Sequence, residues 1–485
     1  MTPTRIPSDH AEPGIGIVHL GLGAFHRAHQ AVYVERNLAR HGGGDWGIIS
    51  ANIRSNRRLV KLMRQRDQRY HVAEYTDREH VTLREVAAIG ETLYAGPDGD
   101  DLETLLTRMS EPGVRIVTLT VTEKGYHLSP ADGRLLVEAP TIAHDIAEPD
   151  APHSAPGMLV EALARRHAAG TPPFTVLSCD NMPDNGKRVR RAVIELARQR
   201  DDQLAEWIAE SVAFPCSMVD RIVPAMTDDD FARLETLGVD DPAAVVCEAF
   251  SQWVIEDDFP QGRPDWEHDG VQMVADVAPF ETMKLRMLNG SHSLLAYLGA
   301  LAGIETVSDA VARREFVALL DRYMGNEAAP TLTMPAGTDL DAYAASLLAR
   351  FANDSLRHRL QQIAMDGSQK LPQRWLAGAR TRLDAGGDIT CTALGVAAWI
   401  RYTAGSDLAG ASHPVDDPLA GTFAALHAEH SEPAALVAAF LALDAIFPRE
   451  LADDARFSGA VLDAYRTLTE RGAEAALAGL DAPTR

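Results

Sequence analysis

The stretch Ile15-Gly16-Ile17-Val18-His19-Leu20-Gly21-Leu22-Gly23-Ala24-Phe25-His26-Arg27 decides how this chain is read. A short apolar run ends in two closely spaced glycines, and a helical pattern follows from about Arg27 to Arg40. Strand, tight turn and helix in that order open a dinucleotide-binding unit. Glycine lets the backbone approach a pyrophosphate, and the helix N-terminus faces its charge. The third small residue of the fingerprint is replaced by Phe25 or His26. A glycine turn in some other α/β protein is the competing reading.

Working outward, a second strand is expected at Trp46 to Ile53. An acid near its end would accept from a ribose 2′-hydroxyl, whereas a basic residue tolerates a 2′-phosphate. The text there is Asn52-Ile53-Arg54-Ser55-Asn56-Arg57-Arg58, without an acid. Arg57 and Arg58 also suit the start of a solvated helix. Val114 to Val121 is the clearest strand, apolar and β-branched, as in a parallel strand covered on both faces. It ends at Thr122-Glu123-Lys124-Gly125-Tyr126. Phe174 to Ser178 is a further strand and ends at Cys179-Asp180-Asn181-Met182. Polar residues at such strand exits are well placed for a site, and plain polar loops explain them equally well. Tyr70 to Glu74, Val81 to Ile89, Phe214 to Ile222 and Val245 to Glu256 continue the alternation. The expected class is α/β, with an N-terminal Rossmann-like doubly wound sheet over residues 1–280.

Composition sets the outer limits. A chain of 485 residues exceeds what one core usually holds. The net charge of −23 disfavours nucleic acid and anionic membranes as partners. Cys179, Cys216, Cys247 and Cys391 are scattered, which fits buried thiols in a reducing compartment. Met1 to Pro13 has no apolar core like that of a signal peptide. The longest apolar run, Ala434 to Leu443, is too short to span a bilayer. A soluble, cytoplasmic protein is expected.

From about Phe280 the pattern turns helical, predicting a second, mostly α-helical domain over 281–485. Its informative segment is Lys284-Leu285-Arg286-Met287-Leu288-Asn289-Gly290-Ser291-His292. In an α-helix Asn289 and His292 share a face, and Lys284 lies about 80° from His292 around the axis. A lysine among apolar neighbours loses affinity for its proton and approaches the range of a useful base. A snorkelling lysine and a hydrogen-bonded core histidine are the bland alternative. A third polar cluster runs from Arg357-His358-Arg359 to Asp366-Gly367-Ser368-Gln369-Lys370-Leu371-Pro372-Gln373-Arg374. It suits a carboxylate or hydroxyls, and a solvated loop equally. No His/Cys/Asp cluster has convincing metal-ligand spacing.

Four of these motifs, in order, resemble the polyol-specific long-chain dehydrogenase/reductase family, also called the mannitol dehydrogenase family. They are Gly21 to Gln30, Thr122 to Tyr126, Ser178 to Asn181 and Lys284 to His292. The resemblance runs from Ile17 to about Ala475. Thr120 to Tyr126, Phe214 to Pro224 and Gln362 to Arg374 look most like its fructuronate reductase branch. The resemblance implies a metal-independent hydride transfer linked to NAD, with Lys284 as acid/base, Asn181 and Asn289 handling the oxyanion, and His292 orienting the substrate. It places the cofactor at Gly21, Gly23, Ala24, Phe25, Arg57 and Thr122. Arg57 stands about where mannitol dehydrogenases carry an acid, so NADP stays open. Gln362 stands where they carry an arginine, which argues against a plain polyol. A sugar acid needs a cation, with Lys124, Arg359, Lys370 and Arg374 as candidates and Lys370 preferred. Mannitol 2-dehydrogenase, D-arabinitol dehydrogenase and tagaturonate reductase activities are the near alternatives. A non-catalytic dinucleotide-binding regulator is the distant one. The family's monomeric members and the lack of a coiled-coil pattern are compatible with a monomer.

Overall fold

In the computed structural model, which describes residues 3–478, Ile15–Leu20 is the central strand of a five-stranded parallel sheet. The strand order is Ile89–Tyr94, Gly47–Asn52, Ile15–Leu20, Ile116–Leu119, Thr175–Ser178. Every neighbouring pair runs parallel, and Ile17 aligns with both Ile48 and Ile116. Within each strand, adjacent apolar residues serve opposite faces. Ile17, Ile48 and Ile116 pack with Val34, Leu38 and Val60. Val18, Leu20, Ile49, Val117 and Leu119 pack with Leu159, Leu163, Val189 and Val193. Both faces are therefore covered by helices, as a doubly wound sheet requires, and the order reverses on either side of Ile15–Leu20. Ligands bind at such a reversal, beyond the carboxyl ends of the strands.

Three expectations about local structure are corrected. The helix read from about Arg27 to Arg40 is two helices, Ala24–Ala28 and Gln30–His41, broken at His29 with φ −120° and ψ −88°. The His29 ring lies against Phe25, Tyr33 and Trp253, and its Nε2 is 3.1 Å from the Gln252 carbonyl. Second, Tyr70–Tyr75 and Val81–Val86 pair antiparallel and leave the main sheet. Only five residues join them, far short of a parallel crossover. With Thr4–Ile6 and Val245–Glu248 they form a separate four-stranded sheet. Third, Val245 to Glu256 is two strands. Its second half, Gln252–Glu256, joins Ser217–Asp220 and Gln272–Val274 in a third sheet.

A buried charge cluster ties these layers together. The Glu74 carboxylate accepts from Arg221 at 2.7 Å, Arg84 at 3.2 Å and Arg36 at 3.3 Å. The Arg221 side chain is fully buried and also donates to the carbonyls of Glu248 and Ala28.

The first compact unit ends at Ala278 and the second begins at Pro279. Residues 479–485 of the expected second domain lie outside the described residues. The second unit is helical, with Gly290–Leu301 and Thr390–Tyr402 buried on nearly all sides. Two of its helical stretches contain a wide π turn, at Lys284–Asn289 and Pro372–Leu376. A third π turn spans Tyr323–Ala328. No helix among the described residues is long and apolar enough to cross a membrane.

Candidate functional site

Each unit carries one group of the expected residues. In the first, Gly21 follows the central strand with φ +118°, and a Cβ there would lie 2.3 Å from the Thr120 carbonyl oxygen. Only glycine lets the two middle strands approach so closely. At Gly23 a Cβ would meet only the Gly21 carbonyl oxygen, at an ordinary 3.9 Å, and its N–H donates to that carbonyl at 2.6 Å. The helix that follows has only five residues, so its dipole is small.

Beside this turn lies a cavity of about 390 Å³ lined by Gly23, Ala24, Phe25, Thr122 and Asn181, with Thr120 and Asp180. Its size suits part of a nucleotide. Beneath it, His19 Nε2 lies 3.0 Å from the Gly21 carbonyl and 2.8 Å from Thr120 Oγ1. The His19 and His26 rings stack with centroids 3.5 Å apart. Burial lowers the pKa of His19 to about 3 and that of His26 well below the usual imidazole range, so both are neutral.

Asp180 holds the wall of this cavity, a role sequence reading missed. Its Oδ1 accepts from the Thr122 N–H at 2.8 Å, and its Oδ2 from the Val121 N–H at 3.1 Å and the Tyr126 hydroxyl at 2.5 Å. Thr122 has φ +67° and ψ 162°, a region that β-branched residues avoid at a cost of roughly 1–3 kcal/mol. Asp180 offsets that cost. The available signal was its place at a strand exit directly before Asn181. Asp180→Ala strands two backbone donors and a hydroxyl, so the denaturation midpoint is expected to fall by the equivalent of about 3 kcal/mol. Chemical unfolding of wild type and variant checks this.

Arg57 is not among the lining residues. It begins the helix Arg57–Gln65, exposed, 3.3 Å from Asp100 and over the Tyr94 ring. Lys124 is exposed on the short turn Glu123–Tyr126.

The second unit gathers Lys284, Asn289, His292 and Arg374. Lys284 and His292 are buried, at 7% and 8% exposure, and Asn289 is half-buried. The wide turn over Lys284–Asn289 corrects the expected 80° offset. Each residue of a π turn rotates the chain by less than the α-helical step, so Lys284 comes closer in angle to His292. The His292 ring packs on Phe351 at 4.8 Å and edge-on to His358 at 5.3 Å. Burial, aided by the positive charges of His358, Arg374, Arg350 and Lys284, holds its pKa well below the usual range. The imidazole is neutral and its buried Nε2 has no hydrogen-bond partner among the described residues. A buried polar atom left open in this way is suited to a ligand hydroxyl.

Arg374 Nη1 donates to the Asn289 carbonyl at 3.3 Å and to Ser293 Oγ at 2.8 Å. Lys370 donates to the carbonyls of Met365 and Ile363, and burial lowers its pKa. Neither cation forms a close ion pair among the described residues, though Asp366 and Asp417 lie near enough to Lys370 to offset part of the effect of burial. Arg359 is exposed, 3.7 Å from Glu305 and apart from this group. Sequence reading also missed Tyr323 and Trp375, which bond to the backbone around Asn289. Among the described residues, no three His, Cys, Asp or Glu side chains are grouped to hold a metal.

Comparison with known proteins agrees with both units. Residues 15–268 match the family model of the mannitol dehydrogenase Rossmann domain, and residues 276–469 that of the mannitol dehydrogenase C-terminal domain. The chain is 49% identical over 482 residues to the D-mannonate oxidoreductase of Escherichia coli, covering 99% of this chain and 98% of that one. Among solved structures, the Pseudomonas fluorescens mannitol 2-dehydrogenase in complex with NAD and D-mannitol matches with TM-score 0.82 and 35% identity. That match covers 98% of this chain and 96% of the other. A substrate-free D-sorbitol dehydrogenase matches with TM-score 0.91 and 34% identity, covering 98% and 97%.

Proposed function

The chain belongs to the mannitol dehydrogenase family, and from that premise we propose that it interconverts D-fructuronate and D-mannonate. It is an NAD-dependent oxidoreductase acting on CH–OH groups. The observation that carries the proposal is the group of buried Lys284 and His292 with half-buried Asn289, on a chain 49% identical over 482 residues to a D-mannonate oxidoreductase.

The glycine turn fits a dinucleotide, because Gly21 lets the chain turn tightly against Thr120 and Gly23 leaves the backbone beside the cavity uncovered by a side chain. When bound, NADH supplies the hydride that the C5 ketone accepts. Lys284 gives the proton to the developing alkoxide and takes it back in the oxidative direction. Asn289 donates a hydrogen bond to the same oxygen, and Asn181 is assigned the same role on the family resemblance. His292, neutral and with Nε2 open, orients a substrate hydroxyl. Lys370 and Arg374 are the preferred cations for the carboxylate, ahead of the exposed Lys124 and Arg359. Four buried free thiols support a cytoplasmic location. A monomer completes the reading, and sedimentation at micromolar concentration checks it.

The test is a rate panel with D-fructuronate, D-tagaturonate and D-fructose, each with NADH and NADPH. The expected result is kcat/KM highest for D-fructuronate with NADH, about 100-fold or more above D-fructose. Equal rates with D-fructose would overturn the sugar-acid assignment. A preference for D-tagaturonate would move the protein to the neighbouring activity. No turnover with any pair would favour a non-catalytic dinucleotide binder.

A further inference from the structure

Among the described residues the second unit contains three π turns, a conformation adopted by well under 1% of residues. Two of them supply the groups that brace the third. The Tyr323 hydroxyl donates to the Arg286 carbonyl at 2.8 Å. Arg374 donates to the Asn289 carbonyl, and Trp375 Nε1 to the Gly290 carbonyl at 3.1 Å. Three carbonyls around the widened turn thus accept from outside their own helix. This is how an irregular helical turn survives in a buried place.

Gly290 shows how closely the parts fit. Its φ of −63° is ordinary for a helix, so no backbone conformation demands glycine. What glycine provides is space, because a Cβ would lie 2.2 Å from the Tyr323 hydroxyl oxygen. Tyr323 is buried, and burial pushes its phenol upward, so it stays a donor.

We propose that Tyr323, seated against Gly290, is a positioning residue that holds the Lys284–Asn289 turn in its wide form and so aims the Lys284 ammonium at the reacting oxygen. The inference rests on the reading of Lys284 as acid/base. Without the brace the segment relaxes toward α-helical pitch. Lys284 then swings away from the direction it shares with His292.

The test uses the full-length enzyme with Tyr323→Phe, which removes one hydroxyl, and Gly290→Ala, which displaces the ring. Lys284→Ala is run beside them. The readouts are kcat, the KM for NADH, the pH–rate profile, the primary isotope effect with deuterated NADH, and thermal stability. Both variants are expected to lose about 10- to 100-fold in kcat with little change in the KM for NADH. The limb of the pH profile that depends on Lys284 should shift, and the isotope effect should rise. Lower thermal stability with kcat and pH profile unchanged would make the brace structural only and overturn the proposal. If Lys284→Ala itself keeps turnover, the acid/base reading fails. If Lys284→Ala is inactive while Tyr323→Phe behaves as wild type, only the brace fails. Gly290→Ala keeps the question decidable should Tyr323→Phe not fold.

Discussion

Lys284→Ala is expected to lower turnover in both directions by about 10²- to 10⁴-fold, the range a positioned acid/base contributes. Dinucleotide affinity should stay within about twofold, since the glycine turn at Gly21 and Gly23 belongs to the other unit. Burial is the reason to expect so large a loss. A lysine at 7% exposure on a widened turn, near enough to His292 for its charge to help hold that imidazole neutral, belongs to the same buried group as the open Nε2. Steady-state rates from about pH 6 to 10, with NADH binding followed by fluorescence, check it. Small primary amines added to the variant should restore part of the rate. Turnover within tenfold of wild type across that range would remove Lys284 from the chemistry.

The second large effect concerns stability. Glu74→Leu leaves Arg36, Arg84 and the fully buried Arg221 facing one another without their carboxylate. Removing one partner of a buried ion cluster costs about 3–5 kcal/mol, a large part of an ordinary domain's stability. Burial pushes the Glu74 carboxyl upward, but the three guanidiniums together outweigh it, and the net shift is downward. A carboxyl with a folded-state pKa below its unfolded one stabilises the protein above the unfolded value. That contribution fades as pH falls through the folded value. Urea unfolding at neutral pH and near pH 4 should therefore show wild type weakening with acid. The variant starts low and lacks that component.

Much of the first unit was legible because its signals are local. Ile15 to Leu20 and Val114 to Val121 are too apolar for anything but strands covered on both faces, and the glycines mark the turn. What escaped depended on distant partners. Tyr70 to Glu74 and Val81 to Ile89 read as two successive short strands, yet the chain forms Tyr70–Tyr75, Val81–Val86 and Ile89–Tyr94, which divide between two sheets by pairing with Val245–Glu248 and Gly47–Asn52. Thr122 gives no hint of its positive φ, because threonine is among the last residues expected there. The Lys284–Asn289–His292 spacing was plain, but the width of the turn between them was not. Six residues are too few to separate a π pitch from an α pitch by periodicity. The donors that hold it, Tyr323 and Arg374, stand 37 and 85 residues from the carbonyls they contact.

The stacked His19 and His26 pair bears on how kinetic data from this protein are interpreted. An enzyme whose affinity bends near neutrality usually owes the bend to an imidazole, and two imidazoles lie under the turn at Gly21 and Gly23. Here His19 changes charge only near pH 3, and His26 is likewise held neutral. A plot of NADH affinity against pH through the neutral range should therefore show no inflection from these two rings. Any bend in kcat over the same interval must then come from groups other than these two rings.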